Sequence, residues 1–244
     1  MTVAEALAVL VAGAVAGGVN TVVGSGSLVT FPTLLAVGFP PVLANVSNCV
    51  GLVPGGVSGV IGYRRELRGQ WRRCVVLGAG TTAGALLGGA LLLTLPESVF
   101  DAVVSGLILL ACLLMAVRLQ PAHGARRDHT GAGVAGSAAV GVYGGYFGAA
   151  QGILLLALLR LSFDEHLQVL NGIKNVLGGL ANLVAALLFI AVSEVAWDAA
   201  GLIAAGSVVG AQVGARYGRR LPQATLRRVV IAAGVIVAIV LIVT

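Results

Sequence analysis

Apolar residues run through the chain in long stretches, separated by short polar or glycine-rich segments. A helix needs about 20 mainly apolar residues to cross the hydrocarbon core of a bilayer. Eight stretches predict such helices, at 4–23, 42–62, 74–95, 98–118, 131–149, 167–192, 197–215 and 226–244. Two further apolar pieces, at 26–38 and 151–162, are too short to cross comfortably as full helices. The pattern predicts an all-α polytopic membrane protein with two short or re-entrant helices.

The composition supports a membrane protein. Of 244 residues, 58% are hydrophobic and 10% are charged, whereas soluble domains carry about 25% charged residues. The apolar stretches are continuous rather than alternating, which argues against a transmembrane β-barrel. The 36 glycines follow no Gly-X-Y period. We therefore expect closely packed or broken membrane helices.

Shifting the sequence by 126 residues superposes its unusual residues on one another. Trp71 falls on Trp197, the only other tryptophan, and Pro96 falls on Pro222. The same shift superposes Gly18 on Gly144, Gly26 on Gly152, Asn45 on Asn171, and Gly80, Gly84 and Gly88 on Gly206, Gly210 and Gly214. This regularity predicts a duplication, with a first transmembrane repeat at 1–118, a connector at 119–138 and a second repeat at 139–244.

Three of the superposed glycines in each half recur every four residues. That spacing places them on one face of a helix, where small residues let two membrane helices approach closely. We assign these six glycines to helix packing: Gly80, Gly84, Gly88, Gly206, Gly210 and Gly214.

The arginines predict the orientation of the chain, because basic loops face the cytoplasm. The fourteen arginines cluster in three main places, at 64–73, in and beside the connector at 118–127, and at 216–228, with Arg160 apart from them. The alternate loops hold no arginine or lysine, near 39–41, 95–99 and 193–197. Threading the chain by this rule gives ten passes with both ends outside, if both short pieces cross.

Equivalent loops of the two repeats differ in charge. The loop at 64–73 is strongly basic, while its mate at 190–199 holds Glu194 and Asp198 and no base. Mate loops are therefore predicted on opposite sides of the membrane. This predicts two inverted repeats of five segments each, an arrangement typical of secondary transporters.

Lys174 is the only lysine, and it lies in a long apolar stretch. The residues that recur with it at helical spacing predict one polar stripe on this helix: Asn171, Asn175, Gly178 and Asn182. A lysine at a membrane helix centre costs about 2.5–3.5 kcal/mol. It is either a snorkelling side chain near the helix end or a buried cation that faces an anionic substrate. Its repeat mate helix carries Asn45 and Asn48, which either contact substrate or only form hydrogen bonds between helices.

The starts of the two short segments are further candidates. If half-helices begin there, their free N–H groups and positive dipole ends suit an oxyanion. Tight packing is the alternative interpretation of the same residues: Ser25, Gly26, Ser27, Gln151 and Gly152.

The nine acidic residues all lie in predicted loops or near the ends of predicted spans. A carboxylate proton relay or a carboxylate sodium site inside the membrane is therefore poorly supported. Buried cationic and neutral polar groups without a buried acid favour an anion as the substrate.

Four segments carry a resemblance to a known family: GGVNTVVGSGSLVTFPTLLAVGFPPVLANVSN, GGYFGAAQGILLLALL, LNGIKNVLGGLANLVAALLF and GAQVGARYGRRLPQATLRRV. Together they resemble the TauE/SafE sulfite exporter family, including anion permeases of the 4-toluene sulfonate uptake type, over nearly the whole chain. The resemblance implies export or uptake of small oxyanions or organosulfur compounds such as sulfite, thiosulfate or sulfonates.

We therefore expect a secondary transporter for a small anion in the cytoplasmic membrane, with a passive anion channel as the alternative. No HExxH, GxSxG or Walker A motif is present, so neither an enzyme nor a cofactor is expected. The three cysteines are widely spaced, so no metal site is expected either. The expected partners are the lipid bilayer and the small anion, not nucleic acid. Whether the chain forms a homodimer stays open.

Overall fold

The computed structural model describes residues 1–116 and 130–217. They form nine helices: α1 (Val3–Val22), α2 (Ser27–Ala36), α3 (Pro41–Gly62), α4 (Trp71–Thr94), α5 (Glu97–Ala116), α6 (Thr130–Tyr146), α7 (Gln151–Ser162), α8 (Leu167–Val192) and α9 (Trp197–Tyr217). The predicted all-α class is confirmed, and each stretch predicted within these residues matches one helix. The stretch at 226–244, Pro222 and most of the predicted connector lie outside the described residues.

Five of the described helices are long and apolar enough to cross a membrane, namely α1, α3, α4, α8 and α9. By contrast, α2 has 10 residues and α7 has 12. At 1.5 Å per residue these two span only about half of a bilayer core. The two short helices predicted from sequence are thus confirmed as elements of the fold.

Each short helix follows a glycine turn of the same geometry. Gly24 has φ +89° and Gly148 has φ +75°, a left-handed conformation that glycine adopts without a Cβ clash. The Gly24 N–H donates to the Val19 carbonyl at 3.1 Å, and the Gly148 N–H donates to the Tyr143 carbonyl at 3.0 Å. The turn after α1 is therefore the structural mate of the turn after α6.

These turns correct the register of the repeat in its first two segments. Gly24 and Gly148 are 124 residues apart, as are Ser27 and Gln151 at the starts of α2 and α7. The two additional residues of α7 bring the difference to 126 for the later helices. Two sequence-based pairs are wrong by two residues for this reason: Gly18 with Gly144, and Gly26 with Gly152.

The glycine faces of α4 and α9 pack directly on the backbone of another helix. A Cβ added at Gly84 would overlap the Ala138 carbonyl of α6, and one added at Gly210 would overlap the Ala14 carbonyl of α1. No side chain fits between these helix pairs, so the assignment of the glycines to close packing is confirmed.

The closest helix pairs join different halves of the chain. Gly80 of α4 lies against Val134 of α6, and Gly88 lies against Val142. The two helices therefore run parallel. The repeat shift exchanges α4 with α9 and α6 with α1, so the α1–α9 pair is the same contact made a second time.

The mate helices α3 and α8 run in opposite directions. The Tyr63 hydroxyl at the end of α3 accepts a hydrogen bond from Asn171 near the start of α8, at 3.0 Å. Nearer the start of α3, the Cys49 thiol donates to the Asn182 carbonyl at 3.5 Å. These contacts favour an inverted arrangement of the halves. The side of the membrane on which each loop lies stays a prediction.

An ion pair joins the start of α4 to the connection between α7 and α8. The Arg73 guanidinium lies 2.6 Å from the Glu165 carboxylate and 5.0 Å from the centre of the Phe163 ring. The basic segment after α3 therefore lies beside the start of α8, the helix that carries Lys174.

Candidate functional site

A small polar cavity, partly open to the outside, lies where the two glycine turns meet α3 and α8. Half of its fourteen lining residues are glycines. The others all carry polar side chains: Asn20, Thr21, Ser27, Gln151, Lys174, Asn175 and Asn182. Both halves of the chain contribute to the wall, and no carboxylate is among these residues.

Lys174 is the charged group of this wall, and only 2% of its surface is exposed. Its ammonium donates hydrogen bonds to the backbone carbonyls of Asn20, at 3.2 Å, and Thr21, at 3.1 Å. Both carbonyls belong to the last turn of α1, where helical carbonyls lack intrahelical partners and the helix dipole is negative. Lys174 is therefore buried, as the buried-cation interpretation expects. That it faces an anionic substrate stays a prediction.

Two asparagines of α8 bind the same end of α1. The Asn175 side-chain amide donates to the Thr21 carbonyl at 3.2 Å. The Asn171 amide donates to the Val22 carbonyl at 3.5 Å and to the Tyr63 hydroxyl. The Asn171 side-chain oxygen is buried and makes no hydrogen bond with the described residues. The predicted polar stripe of α8 therefore exists and converges on one helix end.

The structure does not bring Asn45 and Asn48 to the cavity. Asn45 donates to the carbonyl of Tyr146, the last residue of α6, at 2.9 Å. This is the counterpart of the bond from Asn171 to Val22 in the other half. The Asn48 side-chain oxygen accepts a hydrogen bond from the Thr30 hydroxyl of α2. Both asparagines thus make the interhelical hydrogen bonds that were the alternative interpretation.

The predicted residues at the start of α7 lie on the cavity wall, but their N–H groups are occupied. The Gly152 N–H donates to the Gly24 carbonyl at 3.0 Å, and the Gln151 N–H donates to the Gly148 carbonyl at 3.3 Å. The Gln151 side chain donates to the Gly178 carbonyl at 3.3 Å, and its oxygen is buried without a partner among the described residues. The start of α7 therefore offers no free helix N–H at these two positions.

The start of α2 is divided between the cavity and packing. Ser27 lines the cavity, whereas Ser25 and Gly26 do not. A Cβ at Gly26 would lie 2.9 Å from the Asn20 side chain and would also crowd the Ala16 carbonyl. Gly26 therefore serves close packing against α1. The Ser25 hydroxyl is buried and makes no hydrogen bond with the described residues.

Sequence reasoning missed the last turn of α1. Asn20 and Thr21 line the cavity and supply both carbonyls that hold Lys174. A polar pair at the end of an apolar helix, just before Gly24, was a visible signal. Asn182 was recognised as part of the α8 stripe and also lines the cavity.

Comparison with known proteins identifies the family. Residues 9–241 match the family described as "Sulfite exporter TauE/SafE". The chain is 29% identical over 235 residues to the probable membrane transporter protein YfcA of Escherichia coli K12, covering 88% of this chain and 81% of that protein. It is 26% identical over 208 residues to a probable membrane transporter protein of Haemophilus influenzae, covering 84% and 81%. No solved structure matches the chain. The chain belongs to the sulfite exporter TauE/SafE family of membrane transporters.

Proposed function

We propose that the protein is a secondary transporter that moves a small anion across the cytoplasmic membrane, with sulfite, thiosulfate and sulfonates as the substrate class. The observation that carries this proposal is Lys174, the only lysine of the chain, which is buried in the wall of a polar cavity. The family supplies the expectation of a sulfur oxyanion.

The hydrogen bonds of Lys174 leave one of its N–H donors for a ligand. An ammonium has three N–H donors, and two of them bond to α1 within the described residues. The third donor and the positive charge are available to an oxyanion. Asn20, Asn182 and Ser27 add neutral polar groups to the same wall. Because no carboxylate lies among the lining residues, the electrostatics favour an anion over a cation.

The position of the cavity supports alternating access. Gly24 belongs to the first half and Gly152 to the second, and the two are hydrogen bonded beside the cavity. In transporters with inverted repeats, substrate binds between the repeats, and rocking of one repeat against the other exposes the site to each side in turn. A cavity built from both halves meets that requirement.

Reconstitution into liposomes tests the proposal. Uptake of sulfite, thiosulfate, a sulfonate and a carboxylate is measured with and without a pH gradient, with protein-free liposomes as the control. A transporter gives saturable uptake of at least one sulfur anion and counterflow when the liposomes are preloaded with it. A passive channel gives flux that neither saturates nor shows counterflow. Absence of flux for every anion contradicts the proposal.

A further inference from the structure

The end of α1 is a cluster of oxygen ligands that already holds a positive charge. The carbonyls of Asn20 and Thr21 accept hydrogen bonds from the Lys174 ammonium, and the Thr21 and Val22 carbonyls accept from the asparagine amides of α8. In transporters with broken membrane helices, the carbonyls at such helix ends coordinate the coupling cation. Here two of the carbonyls at the helix end accept hydrogen bonds from the Lys174 side chain.

We propose that the α1 end is a monovalent-cation site that the chain fills with its own Lys174 ammonium, so that anion binding requires no dissolved cation. The inference rests on the proposed function, because it names the source of the positive charge at that same site. It goes further by stating that removal of the ammonium opens a site for a small cation.

Buried neutral oxygens near this helix end support a cation site. The Asn171 side-chain oxygen is one turn from Lys174 on α8, is buried, and makes no hydrogen bond with the described residues. The Gln151 side-chain oxygen on the cavity wall is also buried and makes no hydrogen bond with the described residues. A buried oxygen without a donor is costly, and a cation beside these oxygens would offset part of that cost.

The first half of the chain lacks an equivalent site. The repeat mate of Lys174 is Asn48, which carries no charge and bonds to Thr30 rather than to the end of α6. The carbonyl of Tyr146 at the end of α6 accepts from Asn45, as Val22 accepts from Asn171. The helix end with a cation therefore occurs once among the described residues, and Asn48 offers a matched control.

The first test measures thermal stability and does not depend on transport. Purified protein is melted in detergent in sodium, potassium, ammonium or N-methyl-D-glucamine chloride at equal ionic strength. We expect the wild-type protein to melt at the same temperature in all four salts. Lys174→Ala should melt higher in at least one small cation than in N-methyl-D-glucamine, because a ligand that binds only the folded state stabilises it. Lys174→Arg and Asn48→Ala should show no such difference.

The second test measures transport by the same variants in liposomes. For Lys174→Ala, the stabilising cation should raise anion uptake by about fivefold or more, the lower end of usual coupling between two sites. The wild-type rate should stay the same in all four salts. If no variant and no wild-type sample moves any anion, the proposed function fails while the melting data still decide the cation site.

Two results overturn the inference. A rise in melting temperature of the wild-type protein that is specific to a small cation shows that the helix end binds a dissolved ion beside Lys174. The same melting temperature in all four salts for Lys174→Ala shows that removal of the ammonium opens no site. If Lys174→Ala yields no folded protein, Lys174→Ser is used in its place. Melting of the wild-type protein in the four salts tests the inference without any variant.

Discussion

Helices α3 and α8 are mates in the predicted duplication, and they use equivalent positions in two ways. Asn45 and Asn171 make the same contact, each donating to the last carbonyl of the first helix of the opposite half. Three residues further on, the equivalence ends. Asn48 bonds to α2, whereas Lys174 bonds to the end of α1 and lines the cavity. The backbone contacts of the fold are made twice, and the charge is present once.

The cost of a buried charge explains this difference. An ammonium inside a membrane protein needs partners that replace water, and the last turn of α1 supplies two carbonyls to Lys174. Asn48 is neutral, and one hydroxyl satisfies its side-chain oxygen. A second lysine at position 48 would add the same cost without lining this cavity.

The largest expected effect concerns the direction of the two halves. Single cysteines at Gly69 and Val195, introduced on a cysteine-free background, should react with an impermeant thiol reagent from opposite sides of the membrane. The two positions belong to loops at opposite ends of the antiparallel pair of α3 and α8. The comparison of α3 with α8 assumes that the two halves of the chain are inverted in the membrane. Labelling of both cysteines from the same side would contradict the inverted arrangement.

The next largest effect concerns the close glycine contacts, which both the α4–α6 pair and the α1–α9 pair make. Gly84→Leu and Gly210→Leu should each lower the yield of folded protein. The side chain added at Gly84 pushes α4 away from α6, and the one added at Gly210 pushes α9 away from α1. Gly201→Leu is the matched control, since a Cβ there meets no atom within 4 Å. Fluorescence-detected size exclusion and melting curves measure the loss. The close-packing explanation is wrong if both variants behave like the control.

Lys174→Gln tests the contact of the buried ammonium, which has no counterpart at Asn48 in α3. Loss of a charge-assisted hydrogen bond is worth about 1.5–3 kcal/mol, so substrate affinity should fall roughly 10- to 150-fold. Folded yield should hold, because the glutamine amide keeps a donor and removes a buried charge. Lys174→Arg should restore affinity only in part, since the planar guanidinium needs different space. Normal affinity in Lys174→Gln would place the anion elsewhere.

Asn48→Ala should have the smallest effect and of a different kind. It removes the acceptor of the Thr30 hydroxyl, which should lower the free energy of unfolding by about 1 kcal/mol. Substrate affinity should stay within about twofold of wild type, because Asn48 does not line the cavity. A loss of affinity as large as that of Lys174→Gln would show that both mates contact substrate.

The helices were predictable because one physical constraint sets their length. A span needs enough apolar residues to cross the bilayer, and the glycine turns that end α1 and α6 are visible in the sequence. The register of the first repeat segments was not predictable from glycines, because they are frequent here and match by chance. The two additional residues of α7 appear only when the turns at Gly24 and Gly148 are compared.

The candidate site was predictable where it depends on side-chain type. A single lysine among asparagines in an apolar stretch marks Lys174, Asn171 and Asn175. The contribution of α1 was not predicted, because it comes from the backbone carbonyls of Asn20 and Thr21. Every residue has a carbonyl, so only the position of a helix end can reveal one as a ligand.

The pairing of α1 with α9 has a consequence for the order of synthesis. The ribosome makes α1 first, and α9 begins about 175 residues after α1 ends. At about 5–20 residues per second, the glycine face of α1 is without its partner for roughly 9 to 35 seconds. During that time Gly13 and Gly17, which later touch the backbone of α9, face lipid or an insertion factor. A nascent chain halted before α9 should therefore be a preferred substrate for membrane quality-control proteases.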